Sequence, residues 1–174
     1  MLNIRIAGSN DFNDVNEFYY SVIDGLKNAK YTPEWKKDIY PAQESLSESI
    51  KNKELYIGET DGKIVSCMVV NHEYIDGYRE VKWSVEAKDQ EILVLHLLGV
   101  LSGYSGRGIA TQMVQKVIEI ARENNIKTIR LDILEGNLPA EKTYIKSGFR
   151  YVDTVQMFYE DTGWTSCKMF EYIV

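Results

Sequence analysis

The chain has 174 residues, 44% of them hydrophobic and 11% aromatic, with a formal net charge of −6. That length suits one domain, 1–174, with a sizeable core, and the acidic balance argues against the basic footprint that nonspecific nucleic-acid binding needs. No run approaches eighteen consecutive apolar residues, so no membrane span is expected. The start, MLNIRIAGSND, lacks the basic and apolar regions of a signal peptide, and the expectation is a cytoplasmic protein. Cys67 and Cys167, a hundred residues apart, match no zinc spacing and no CxxC motif; they read as buried free thiols, and no metal is expected.

Taken in chain order, LNIRIA (2–7) alternates as a strand does and is broken at Gly8. Phe12, Val15, Phe18, Tyr19, Val22, Ile23 and Leu26 follow at helical spacing, which predicts an amphipathic helix from Asp11 to about Lys27. An aromatic loop (28–41) leads to a second helix (42–52) with Leu46 and Ile50 inward. Two β-rich runs flanking Asp61 and Gly62 predict a hairpin over 54–71. The stretch 72–90 is either a second pair of short strands around Asp76 and Gly77 or a loop. EILVLHLLGV (91–100) is nearly continuous in apolar residues, as suits a strand buried on both faces.

Three glycines, Gly103, Gly106 and Gly108, separate that strand from a helix whose inner face is Ala110, Met113, Val114, Val117, Ile118 and Ala121. The helix should stop near Asn124 and Asn125, since asparagine tolerates a left-handed cap. KTIRLDIL (127–134) is another strand. NLPAEKTYIKSG (137–148) is a short helix with Pro139 near its start and Gly148 past its end. Two strands around Asp161 and Gly163 close the chain. The β-α-β unit predicts one parallel, right-handed crossover, and the flanking hairpins predict antiparallel pairing. The fold class is therefore a mixed α/β domain.

A strand, a glycine turn and a helix start together make an anion site, because the first-turn N–H groups point outward. The P-loop template fails here, for no Lys-Ser/Thr pair follows the glycines. The dinucleotide fingerprint fails at Thr111, which stands where its third glycine should be. The template that fits is [QR]-x-x-G-x-[GA], read as Ser105-Gly106-Arg107-Gly108-Ile109-Ala110, with Ser105 in place of the usual Arg or Gln.

At this point the chain resembles the GNAT superfamily of N-acetyltransferases. LLGVLSGYSGRGIATQMV looks like the family's strand, pyrophosphate turn and helix. LDILEGNLPAEKTYIKSGF, with its N-x-x-A-x-x-x-Y-x-x-x-G-F, resembles the second family element in order and distance. The resemblance covers 54–149 well and extends over nearly the whole chain. It implies a central mixed, mostly antiparallel sheet with helices on both faces and a splayed parallel strand pair. It also implies acetyl-CoA as cosubstrate, its pyrophosphate approached by Gly106 and Gly108 and met by the backbone of Arg107, Gly108, Ile109, Ala110 and Thr111. The alternative for these glycines is an ordinary flexible strand-to-helix loop.

Acetyl transfer needs a polarised carbonyl, a neutral amine, a stabilised oxyanion and a proton for the leaving thiolate. Leu98, Gly99 and Val100 resemble the segment whose N–H groups serve the thioester and pantetheine, and Gly99 suits a bulge there. The resemblance implies that Asn137 touches the cofactor and that Tyr144, seven residues on, is the general acid; a phenol of pKa ~10 keeps its proton at neutral pH. Strand parity puts His96 on the face of Leu98 and Val100, and an imidazole of pKa ~6.5 suits a base. Asp132 is the rival base and Glu135 a third candidate, while His72 is given no role. Each has a plain structural alternative: a packed tyrosine, a buried imidazole, an ion-paired carboxylate. A nucleophilic Cys67–His96 pair is the covalent alternative, with nothing in the sequence to bring the two together.

The expected acceptor is a small-molecule or peptide amine. Tyr31, Trp35, Tyr40, Tyr74, Tyr78, Tyr159 and Trp164, in an acidic background, favour a small cation if they line its path; they can equally be core residues. No nucleic acid or membrane partner is expected, and the chain is either a monomer or a homodimer. The competing function is a non-catalytic acyl-CoA-binding module.

Overall fold

A computed structural model of the chain describes residues 1–160 and 162–174. They form two compact units, Met1–Val70 with His96–Met113, and Asn71–Leu95 with Val114–Val174. Among the described residues there are five helices and seven strands, with one parallel strand pair, β4 with β5.

The first unit opens with β1 (Asn3–Ile6), then α1 (Phe12–Leu26), α2 (Gln43–Lys51), β2 (Leu55–Thr60) and β3 (Lys63–Asn71). In α1, Val15, Phe18, Tyr19 and Val22 recur every three or four residues, so one stripe of the helix is buried. That stripe packs with Leu46 and Ile50 of α2 and with Leu55, Ile57, Cys67 and Val69 of the β2–β3 hairpin. The hairpin turns where the sequence places it: Asp61 and Gly62 both have positive φ, 52° and 74°, the conformation a two-residue turn needs to match strand twist. β1 pairs antiparallel with β2, and β2 with β3.

In the second unit β5 (Thr128–Leu134) pairs in parallel with the start of β4 (Ile92–Val100), registered from Ile92↔Thr128 to Val94↔Arg130. β7 (Gly163–Ile173) pairs antiparallel with β5 on one side and with β6 (Arg150–Tyr159) on the other. The strand order is thus β1-β2-β3-β4 in the first unit and β4-β5-β7-β6 in the second, β4 being divided between them. Of the expected closing turn, Asp161 lies outside the described residues.

Two further helices complete the order. α4 (Ile109–Glu123) buries Ile109, Met113, Val114, Val117, Ile118 and Ala121, and Asn125 closes it at φ 55°. α5 (Leu138–Lys146) is capped by Asn137 and followed by Gly148 at φ 96°.

The 72–90 stretch departs from the strand-pair reading. It holds a four-residue helix α3 (Gly77–Glu80) and a 3-10 turn (Asp89–Glu91). Asp76 takes right-handed helical angles, so Asp76 and Gly77 start a helical turn where a hairpin turn was one expectation. Tyr78 and Val81, three residues apart, go into the core with Ile92, Val94, Met157, Cys167 and Met169. Among the described residues no helix is long and apolar enough to cross a membrane.

Candidate active site

The glycine turn belongs to the first unit. After β4 the chain makes a 3-10 turn (Ser102–Tyr104), closed by Tyr104 N to Leu101 O at 2.8 Å and Ser105 N to Ser102 O at 3.1 Å. Gly106 and Gly108 then take φ 75° each, and a Cβ on either would meet no described atom within 4 Å. Glycine is therefore required by backbone conformation at both positions, and the side of the turn that a side chain would cover is open. α4 starts at Ile109, and the amide of Gln112 bonds Gly108 O at 3.0 Å. The N–H groups of Ile109, Ala110 and Thr111 precede any acceptor within the helix and lie at its positive end. Ile109 is buried and anchors this end, leaving its backbone to the site. Arg107 is exposed, its guanidinium 5.0 Å from the Tyr104 ring centre, which holds a cation beside the turn. Gly103 sits in the 3-10 turn without positive φ.

The end of β4 corrects two expectations. Leu97 has φ 56°, a left-handed conformation unusual for a residue with a branched side chain. Two-residue alternation does not continue through such a residue, so parity does not carry His96 to the face of Leu98 and Val100. The irregularity is at Leu97, while Gly99 keeps an ordinary φ. A Cβ on Gly99 would come within 3.3 Å of Trp35 and 3.4 Å of Phe18, so Gly99 serves close packing against α1 and the aromatic loop. The Tyr19 hydroxyl donates to Leu97 O at 2.9 Å. His96, Leu98 and Val100 are half-buried. Trp35 stands edge-on to Tyr19, 5.7 Å between ring centres, as part of the packing.

Asp132, Asn137 and Tyr144 belong to the second unit. Asp132 accepts two phenols, Tyr78 on Oδ1 at 2.6 Å and Tyr159 on Oδ2 at 2.8 Å. Asn137 spends its Oδ1 on the amide of Ala140 at 3.4 Å, capping α5, so its side-chain NH2 is what it offers a ligand. Tyr144 is buried on α5, edge-on to Phe149. Burial, and then the Asp132 charge, push the Tyr144 phenol well above its ordinary value. Tyr159 is raised by burial, then by the Asp132 and Cys167 charges, then by its bonds to the same two groups.

The remaining candidates have partners or are buried. Glu135 accepts from Ser166 Oγ at 2.7 Å, and His72 Nδ1 lies 2.6 Å from Ile92 O. Cys67 is fully buried and its thiol is pushed well up by burial. Cys167 is pushed to about 11 by burial and by Asp132. A thiol so raised keeps its proton at neutral pH. Tyr74 stacks on Tyr78, and Trp83 packs tilted by 38° on Tyr78, with ring centres 5.5 Å apart at each step. Trp164 is 72% exposed and pairs with Phe158. Among the described residues no group of three or more metal-ligating side chains occurs. The Tyr78 and Tyr159 bonds to Asp132 had no signal in sequence; nor did the burial of Arg130 and Glu171.

The sequence model of the acetyltransferase (GNAT) family matches residues 20–149. The chain belongs to that family. Its reaction class is acetyl transfer. An uncharacterised N-acetyltransferase of Archaeoglobus fulgidus is 25% identical over 149 residues, 86% of this chain and 93% of the relative. A GNAT-family acetyltransferase from Streptococcus agalactiae superposes with a TM-score of 0.82 at 21% identity, covering 99% of this chain and 95% of that one. A Salmonella typhimurium chain solved with its cofactor acetyl-CoA has a TM-score of 0.72 at 14% identity, covering 99% and 94%. The mixed fold with one parallel pair is the fold of these neighbours.

Proposed function

We propose that the 174 residues act as one domain that transfers the acetyl group of acetyl-CoA to an amine by direct attack. The observation that carries this is the turn, where two left-handed glycines leave open backbone at the N-terminus of a fifteen-residue helix. A pyrophosphate is the group of coenzyme A that such a turn suits. The Salmonella typhimurium neighbour, which carries acetyl-CoA, supports the same donor.

In this reading the amine nitrogen attacks the thioester carbonyl carbon. A C–N bond forms, the carbonyl pair moves to oxygen, and collapse of that oxyanion breaks the C–S bond. Backbone N–H groups of Leu98, Gly99 and Val100 serve the thioester. Tyr144, a phenol protonated at neutral pH, gives its proton to the departing sulfur. The ammonium proton leaves to a base, His96 or Asp132. Asn137 presents its amide NH2 to the cofactor. The Asp132 carboxylate, held by the hydroxyls of Tyr78 and Tyr159, offers a small cationic amine its counter-charge.

The test is a thermal shift with coenzyme A. A ligand at a hundred times its Kd adds ~2.7 kcal/mol to stability. Gly108→Val, judged against its own unliganded Tm, should lose most of the shift. If the unmodified chain shows none, the donor assignment fails. Thiol release over a panel of polyamines, amino acids, aminoglycosides and peptides then separates an enzyme from a non-catalytic acyl-CoA-binding module.

A further inference from the structure

A buried charge pair lies against the segment 78–85 of the second unit. Arg130 of β5 and Glu171 of β7 are register partners, 6% and 2% exposed, with Nε to Oε1 at 3.3 Å. Neither has a role in the acetyl-transfer chemistry above. Desolvating two charges is costly, and their attraction offsets that cost only where their other hydrogen-bonding groups are satisfied. Those groups reach the segment. Arg130 Nη2 donates to Val85 O at 2.7 Å, and its guanidinium stacks 4.4 Å from the Trp83 ring centre. The amide of Ser84 donates to Glu171 Oε2 at 2.8 Å, and Thr128 Oγ1 donates to Oε1 at 3.0 Å. Trp83 Nε1 in turn donates to Tyr78 O at 2.8 Å, and the Tyr78 hydroxyl to Asp132 at 2.6 Å.

We propose that the Arg130–Glu171 pair is a positioning device that pins the backbone at 83–85 and, through Trp83, holds the Tyr78 hydroxyl on Asp132, so setting recognition of the amine acceptor. What Tyr78 and Asp132 recognise rests on the amine reading; the pinning does not. Arg130 and Glu171 touch no reacting atom in this scheme and act through Trp83 and Tyr78. Trp83 packs on Tyr78, the ring whose hydroxyl reaches Asp132, so the placement of Trp83 sets where that hydroxyl lies. Both ends of the restraint here are buried, out of competition with water.

The test uses the full chain. Arg130→Met with Glu171→Leu removes both charges together, leaving neither one buried and unpaired. Amides at 77–85 should exchange with deuterium at least about tenfold faster, with those at 55–71 unchanged. The acceptor KM should rise about tenfold with kcat nearly constant and the coenzyme A thermal shift retained. Tyr78→Phe should raise KM comparably, and adding it to the double variant should raise it no further, because both act through one hydroxyl. Trp83→Phe, which keeps a ring under Arg130 but loses the donor to Tyr78 O, should move KM the same way and serves if the double variant does not fold. Unchanged exchange at 77–85, or KM effects that multiply independently, would overturn the proposal. If the amine reading itself is wrong, the unmodified chain shows no coenzyme A shift and no transfer, and the exchange comparison alone decides the pinning.

Discussion

Asp132 Oδ2 accepts the Tyr159 hydroxyl at 2.8 Å, while its other oxygen accepts Tyr78. A carboxylate held between two phenols has the geometry of an orienting group. His96→Gln should therefore abolish the acidic limb of kcat/KM, and Asp132→Asn should keep the limb while raising the acceptor KM. The pH profiles of both variants check this. A limb that survives in His96→Gln and vanishes in Asp132→Asn makes Asp132 the base. If both profiles match the unmodified chain, the amine arrives already neutral.

Tyr144→Phe keeps the ring against Phe149 and removes the proton donor. It should lower kcat by roughly 10²–10⁴ with the coenzyme A affinity nearly constant. Steady-state rates with a titration of coenzyme A measure both quantities. A variant with normal kcat would make Tyr144 a packing residue only.

The most legible parts of the chain were those where local chemistry dictates conformation. Asp61 and Gly62, Gly148, and the left-handed Asn125 all fall where turn chemistry puts them. Gly106 and Gly108 needed no tertiary information, for their positive φ is a property of the turn itself. Leu97 was not legible, because leucine gives no warning of a left-handed backbone; the conformation is imposed by tertiary contacts such as Tyr19 on its carbonyl. The segment after His72 was ambiguous because Asp76-Gly77 suits a hairpin turn and a helix start alike, and the choice is made by burial of Tyr78 and Val81. The Arg130–Glu171 pair had no local signature, since the two residues lie forty-one positions apart.

The two thiols predict a direct mechanism and an alkaline weakness. Initial-rate lines should intersect when acetyl-CoA and amine are varied, and Cys67→Ala and Cys167→Ala should both retain transfer; parallel lines with an acetylated cysteine would contradict this. Cys167 ionises near 9.0 when unfolded and at about 11 in the fold. The unfolded chain thus loses this proton first, and stability is full below pH 9 and falls between 9 and 11. The raised thiol alone accounts for about 2–3 kcal/mol of that fall. Urea midpoints across that range should decline less steeply in Cys167→Ala, and an equal slope would contradict the assignment.

The last prediction concerns Tyr19 and the end of β4. A non-glycine residue in the left-handed region costs ~1–2 kcal/mol, so Leu97 at φ 56° must be held by its surroundings. The Tyr19 hydroxyl, from a fully buried ring, supplies one restraint at the Leu97 carbonyl. Tyr19→Phe removes the hydroxyl and leaves the ring in the α1 stripe. The lost bond and the unsatisfied carbonyl should cost ~1–2 kcal/mol, a fall of roughly 2–6 °C in Tm for a chain of this size. The next residues are Leu98, Gly99 and Val100, whose N–H groups are proposed to serve the thioester, so kcat should fall with the Tm. The thermal shift with coenzyme A should persist, because Gly106 and Gly108 take their conformation from the turn alone. Unchanged Tm and kcat would mean that Leu97 is held without Tyr19. A lost coenzyme A shift would mean that the strand end and the glycine turn are set together.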